Sequence, residues 1–244
     1  MPAPGSSISV QAEWRTLRTL DFEGAAAVDL KTTSSITLDG LTLQRQNPTR
    51  CSTFGTDGST GLVFVQDQSG NVNAGTAPRL GAALSSWGTL GDGEELAVQL
   101  RWSADATPGD YGRLVVSFGT SANAMNVGPV YRASPGQWEI GSVVSSSQYT
   151  DPSEALSGSS DRVVEVLITS AGARAYDRGA WSGSWPSPGG GTLIDAIGAP
   201  ASGGRSAINP RLSNGYLGIA TYRTAGTTSV TVHGLRALIR ESSP

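Results

Sequence analysis

The stretch Ile36-Thr37-Leu38-Asp39-Gly40-Leu41-Thr42-Leu43 constrains the fold more than any other part of the chain. Apolar residues fall at every second position on both sides of an Asp-Gly pair. A strand sends successive side chains to opposite faces, so an extended arm with this spacing buries one face and wets the other. Asp-Gly accepts the positive φ angles of a type I′ turn, whose twist matches two paired strands. The segment therefore predicts an antiparallel hairpin.

The same period of two recurs along the chain. It marks strands over Trp14 to Phe22 (with an irregularity), Gly61 to Gln66, Glu95 to Trp102, Tyr111 to Phe118, Trp138 to Val144 and Arg162 to Thr169. Ala173 to Tyr176, Tyr216 to Tyr222 and Thr228 to Arg240 continue the series. About a dozen strands at this spacing, separated by turn residues, imply two packed antiparallel sheets. In the last strand Val230 and Val232 share one parity, while Leu235, Ala237 and Ile239 share the other. A β-bulge at Gly234 would return both sets to the core and point His233 outward. Ala82 to Trp87 is expected to form one helical turn.

Gly and Pro supply 32 and 13 of the 244 residues, and only 15 % of the chain is charged. That mixture fits a turn-rich β protein with frequent, patterned apolar runs. No linker splits the chain, so residues 14–244 are expected to form one sandwich domain. Residues 1–13 lack a pattern and are expected to be an extended N-terminal arm, docked on neighbouring subunits.

The net charge is −3, and Lys31 is the only lysine among 17 basic residues. Scattered arginines on an acidic chain offer no footprint for a phosphate backbone, which argues against a nucleic-acid partner. Cys51 is the only cysteine, so no intrachain disulfide forms. No basic region followed by an apolar stretch opens the sequence, and no apolar run approaches the roughly 20 residues of a membrane span. The expectation is a soluble protein made in the cytoplasm.

With these elements placed, the chain resembles the concanavalin A-like (laminin G-like) jelly-roll sandwich found in bacteriophage virion proteins. The resemblance rests on Trp14 to Phe22, ending in Asp21-Phe22, on Leu38-Asp39-Gly40-Leu41, and on Gly61-Leu62-Val63-Phe64. Further along it rests on Val164 to Ile168, Tyr176-Asp177-Arg178-Gly179 with Trp181, Tyr216 to Ala220, and the closing Ser229 to Ile239 strand. It implies an antiparallel two-sheet fold and a structural role in a virion.

The resemblance also directs a search for chemistry. Glycoside hydrolases of this fold carry Glu-x-Asp-x-x-Glu on one strand, because retaining hydrolysis needs two close carboxylates. No such run occurs. Glu94 and Glu95 would point to opposite faces, and Asp161 with Glu165 reads best as a solvated strand end. His233, the only histidine, follows no Gln-x-His pattern of the lyases. Any Ser-His-Asp arrangement would have to use it, yet no Gly-x-Ser-x-Gly elbow is present. It reads as an outward-facing strand histidine. One His and one Cys exclude an ordinary zinc site. Asp105, Asp110, Asp151 and Glu154 fall in turn-like segments that could tempt calcium, but solvated turns are expected. The chain is thus expected to be no enzyme, with no catalytic residues, no metal and no cofactor.

One cluster could bind a ligand. Tyr176, Asp177, Arg178, Trp181 and Trp185 fall within ten residues, in a Gly/Ser/Pro-rich stretch ending at Gly189-Gly190-Gly191. Aromatic faces stack on sugar rings while Asp and Arg bond hydroxyls. Alternatively, both tryptophans cover the sheet beneath a long loop. Two functions follow: a structural component of a phage particle (capsid decoration or head/tail appendage) in a symmetric homo-oligomer with other virion subunits, or a carbohydrate-binding module that recognises a host-surface glycan.

Overall fold

The computed structural model describes residues 12–66, 78–88, 94–104, 112–119, 125–132, 137–144, 147–155, 161–169, 172–198, 216–223 and 228–241. The arm assigned to residues 1–13 lies almost wholly outside the described residues, as do Asp105 and Asp110. The described residues are nearly all β, and their antiparallel sheets form a sandwich.

The strands in chain order are β1 (Arg15–Asp21), β2 (Val28–Asp29), β3 (Ser35–Leu38), β4 (Leu41–Gln46), β5 (Thr53–Thr56), β6 (Leu62–Gln66), β7 (Arg79–Ala83), β8 (Glu94–Ala104) and β9 (Gly112–Gly119). They continue as β10 (Met125–Arg132), β11 (Gln137–Val144), β12 (Ser147–Ala155), β13 (Arg162–Thr169), β14 (Gly172–Ala180), β15 (Thr192–Gly198), β16 (Tyr216–Arg223) and β17 (Thr228–Glu241). A single helical turn, α1 (Leu84–Trp87), buries Leu84 and Trp87. The large sheet has the order β15-β14-β13-β8-β17-β6-β5-β2, with β1 also paired to β17. The facing sheet runs β3-β4-β7-β16-β9, and β10-β11-β12 forms a separate meander.

The hairpin forms as its spacing requires. Asp39 and Gly40 adopt φ of 46° and 70°, the positive pair of a type I′ turn. Ile36, Leu41 and Leu43 are buried and Leu38 partly so. The irregularity in β1 appears as a register shift between Thr16 and Arg18.

Strand β17 organises the large sheet. It pairs with β8 along its length, while β6 and β1 occupy successive halves of its other edge. The register slips between Val232 and Gly234, leaving His233 as the extra residue of a bulge. Val230, Val232, Leu235, Ala237 and Ile239 all reach the core because of it. The inner residues of β8 (Leu96, Val98, Leu100, Trp102) and β13 (Val164, Val166, Ile168) pack against Leu41, Leu43, Leu80, Leu217 and Ile219 of the facing sheet.

Several strands are missing from the sequence reading. Strand β12 carries Asp151 and Glu154, so these two lie on a strand and not in a turn. Pro152 sits at a register shift on this edge strand, where its lost N–H donor costs least. Strand β14 runs on to Ala180, which places Asp177 and Arg178 in the sheet and not in a rim loop.

Candidate functional site

Alternation gives the large sheet a second, outer face. While Leu96 to Trp102 fill the core, the intervening Ala97, Gln99, Arg101 and Ser103 of β8 face the other way. Glu165 pairs with Gln99 across β13 and joins them there. A small apolar patch of Ala97, Leu167 and Leu238, flanked by Trp14 and Tyr176, covers one end of this face.

The segment between β14 and β15 lies over the middle as a strap. Pro186 accepts a hydrogen bond from Gln99 Nε2 at 2.8 Å, and Gly189 N donates to Glu165 Oε1 at 2.8 Å. Arg178 reaches back to the strap, donating to the carbonyls of Gly190 and Ser187, with its guanidinium 3.8 Å from Glu165. Glu165 also accepts from Gln99 Nε2 at 2.6 Å and is 0 % exposed. It is therefore no solvated strand end: the strap removes it from water, and N–H donors with a nearby cation replace the lost hydration.

The five candidate ligand-binding residues divide. Asp177 is only 7 % exposed, ion-paired with Arg162 and accepting from Gly179 N. Arg178 is spent on the strap, and Tyr176 packs on the apolar patch. Trp181 and Trp185 come together edge to face, with centroids 5.3 Å apart. Both are half-buried, with exposed Ser182, Gly183 and Ser184 between them. Arg101 stacks on Trp181 at 4.6 Å. Trp185 seats against Gly234, where an added Cβ would come within 3.0 Å of its ring. The bulge creates that seat, because it sets a residue without a side chain opposite Arg101.

Arg101 is the hub that sequence reasoning missed. It binds both oxygens of Asp161 and forms a two-point contact with Glu23 at 2.6 and 3.2 Å. Burial works to lower its pKa, but the hydrogen bonds and charges of Asp161 and Glu23 outweigh it, so the net shift is upward. The available signal was parity: Gln99, Arg101 and Ser103 alternate with the core residues of β8, a pattern that reads equally well as a wet face.

Beside the hub, His233 joins three elements. Its Nδ1 lies 3.0 Å from the Thr60 carbonyl and 3.1 Å from Glu23 Oε1, and its Nε2 lies 2.9 Å from Ser103 Oγ. The histidine leaves the core face as expected, yet its side chain is only 13 % exposed. Two aspartate turns hold its neighbours. Asp21 Oδ1 accepts from the amides of Glu23 and Gly24. Asp57 accepts from the amides of Ser59 and Thr60 and from the Thr60 hydroxyl.

The hydroxyl bond from Thr60, with the backbone donors, holds the Asp57 carboxyl well below its usual range. A carboxyl whose folded pKa is depressed stabilises the fold above its unfolded pKa and loses that contribution as pH falls. Asp57→Asn should therefore lower the melting temperature most above the ordinary aspartate value of 3.8. The gap should shrink steadily in stronger acid. Melts across this range check it, and a gap independent of pH would contradict the assignment.

Among the described residues no helix is long and apolar enough to cross a membrane, and no group of three His, Cys, Asp or Glu side chains could hold a metal ion. No protein-family model matches the chain, and no curated protein does. Solved structures do. A protein of unknown function from Shewanella oneidensis MR-1 is similar at TM-score 0.51 and 15 % identity, over 99 % of this chain and 92 % of that one. A proposed β-glucanase from Mycobacterium abscessus gives TM-score 0.52 and 11 % identity, over 91 % of this chain and 100 % of that one. An uncharacterised protein from Mycobacterium paratuberculosis gives 0.51 and 12 %, over 91 % and 99 %. At such identities the likeness is one of fold, a β-sandwich.

Proposed function

We propose that this chain is a non-enzymatic structural component of a bacteriophage particle, a capsid decoration or a head or tail appendage. The observation that carries the non-enzymatic part is the pairing of carboxylates on both faces of the large sheet. Glu165 is held by Gln99, Gly189 and Arg178, Asp177 by Arg162, Asp161 by Arg101, and Glu95 by Arg240 at 2.6 Å. Glycosidic cleavage needs one carboxyl kept protonated and a second free to attack or activate water. Carboxylates tied to guanidinium groups are poor candidates for either task. The virion placement rests on the sequence resemblance, and with it go a symmetric homo-oligomer and contacts to other virion subunits.

Mass spectrometry of purified particles from cultures expressing the chain should find it at a fixed copy number that survives density-gradient purification. A chain confined to the soluble lysate would overturn the reading.

Carbohydrate recognition is favoured by one observation, the half-exposed Trp181 and Trp185 at the edge of the strap. Such an aromatic pair suits the apolar face of a sugar. If it binds one, Trp181→Ala should weaken glycan binding at least about tenfold, since aromatic contacts carry much of such affinity. A glycan array followed by titration calorimetry measures this. Unchanged affinity would move the site elsewhere.

A further inference from the structure

The bulge in β17 does more than correct the core pattern. It displaces His233 from its place opposite Arg101 toward Ser103, which pairs with Thr231 on the neighbouring strand. The result is a chain of three side chains: Ser103 Oγ 2.9 Å from His233 Nε2, and His233 Nδ1 3.1 Å from Glu23 Oε1.

The partners fix the tautomer. The Thr60 carbonyl and the Glu23 carboxylate can only accept, so Nδ1 carries the proton. In the neutral ring Nε2 is then an acceptor, and the Ser103 hydroxyl must donate to it. Here the imidazole is oriented from behind by the Thr60 carbonyl with the Glu23 carboxylate beside it, and a hydroxyl donating to such a ring is the arrangement that activates a serine. We propose that Ser103 is an activated nucleophile that accepts acyl groups from carboxylic esters, with His233 as general base and Glu23 as a positioning residue.

In the step, Ser103 Oγ bonds to the acyl carbon as its proton passes to His233 Nε2. The ester's alkoxide leaves and takes that proton from the imidazolium. The products are acyl-Ser103 and an alcohol, with neutral His233 restored. The Thr60 carbonyl accepts the Nδ1 proton throughout, and Glu23 lies beside the positive ring while it exists. Arg101 fixes Glu23 from the opposite side and also stacks on Trp181, so the nucleophile and the tryptophan pair share one network. Ser103 is half-buried and so retains access to solvent. The inference goes beyond the structural role and does not depend on it. Each chain accepts one acyl group and keeps it, a single event without turnover, so the non-enzymatic reading is unaffected.

The test uses the whole folded chain and two probes, a fluorophosphonate and p-nitrophenyl acetate. Tandem mass spectrometry should find one adduct, on Ser103, that is absent in Ser103→Ala. His233→Gln should slow labelling by about 10²–10⁴-fold, the usual worth of general-base help. If that variant folds poorly, the wild type decides alone: labelling must vanish when the chain is unfolded in urea. Glu23→Gln should slow labelling of Ser103, and Glu23→Asp, which keeps the carboxylate, should recover part of the rate. The groups facing His233 are Glu23, the Ser103 hydroxyl and the Thr60 carbonyl, with the Arg101 cation beyond Glu23. No adduct on Ser103, equal labelling of folded and unfolded chains, or equal labelling rates in the wild type and Glu23→Gln would each overturn the proposal. Loss of the particle-association result would leave it standing, and the reverse holds too.

Discussion

Phe64→Ala should destabilise the fold by about 3–5 kcal/mol, the range for deleting a large aromatic from a core. Phe64 is 1 % exposed on β6, which lies between β5 and β17. It pairs directly with Phe54, and their rings stack with centroids 4.7 Å apart. The loss would combine the transfer energy of the ring with the cost of a cavity that cannot close. Phe54 and Val230 flank the site, and ladder hydrogen bonds fix both strands. A domain's whole stability is typically only about 5–15 kcal/mol, so the variant should sit near the edge of folding. Urea unfolding should show a much lower midpoint with the same slope. A loss below about 1 kcal/mol would mean that the sheets close over the gap, contrary to the packing described here.

Features written into neighbouring residues were legible in the sequence, and features written into sheet order were not. Asp39-Gly40 between alternating arms permits one economical geometry, and the hairpin follows. The parity change across Gly234 has no other simple solution than a bulge, and the bulge is there. Strands β10 and β12 escape a period-two reading because Gly128, Pro129 and Pro152 interrupt them. Strand β5 escapes for its brevity and for Gly55, which leaves Val28 room to pass close by. Of the candidate ligand residues, the sequence showed that Trp181 and Trp185 are near one another. It did not show that Asp177 and Arg178 turn to internal partners, since Arg162, Gly190 and Ser187 meet them only once β14 lies between β13 and β15. The same holds for His233. Its partners come from positions 210, 173 and 130 residues away, which no local motif can announce.

Glu165→Ala should cost a comparable amount, about 3–5 kcal/mol, the usual penalty for removing one partner of a buried ion pair. Three groups lose their acceptor together: the Gln99 amide at 2.6 Å, the Gly189 N–H at 2.8 Å, and the Arg178 guanidinium at 3.8 Å. Arg178 suffers most, because its side chain is only 9 % exposed and a buried cation without a counter-charge is worse than an unbonded amide. Its remaining contacts, the carbonyls of Ser187 and Gly190, belong to the strap. The cheapest relief is for the strap to lift and hydrate the guanidinium. The variant should therefore show both lower stability in urea and new tryptic cleavage after Arg178 under conditions where the wild type resists. The double change Glu165→Leu with Arg178→Met separates charge from packing. Removing both charges and filling the space with apolar side chains is often neutral or better than leaving one charge alone. The double variant should thus recover part of the stability lost by Glu165→Leu. If its loss instead equals the sum of the two single losses, the pair is not coupled, and the strap is held by its backbone contacts alone.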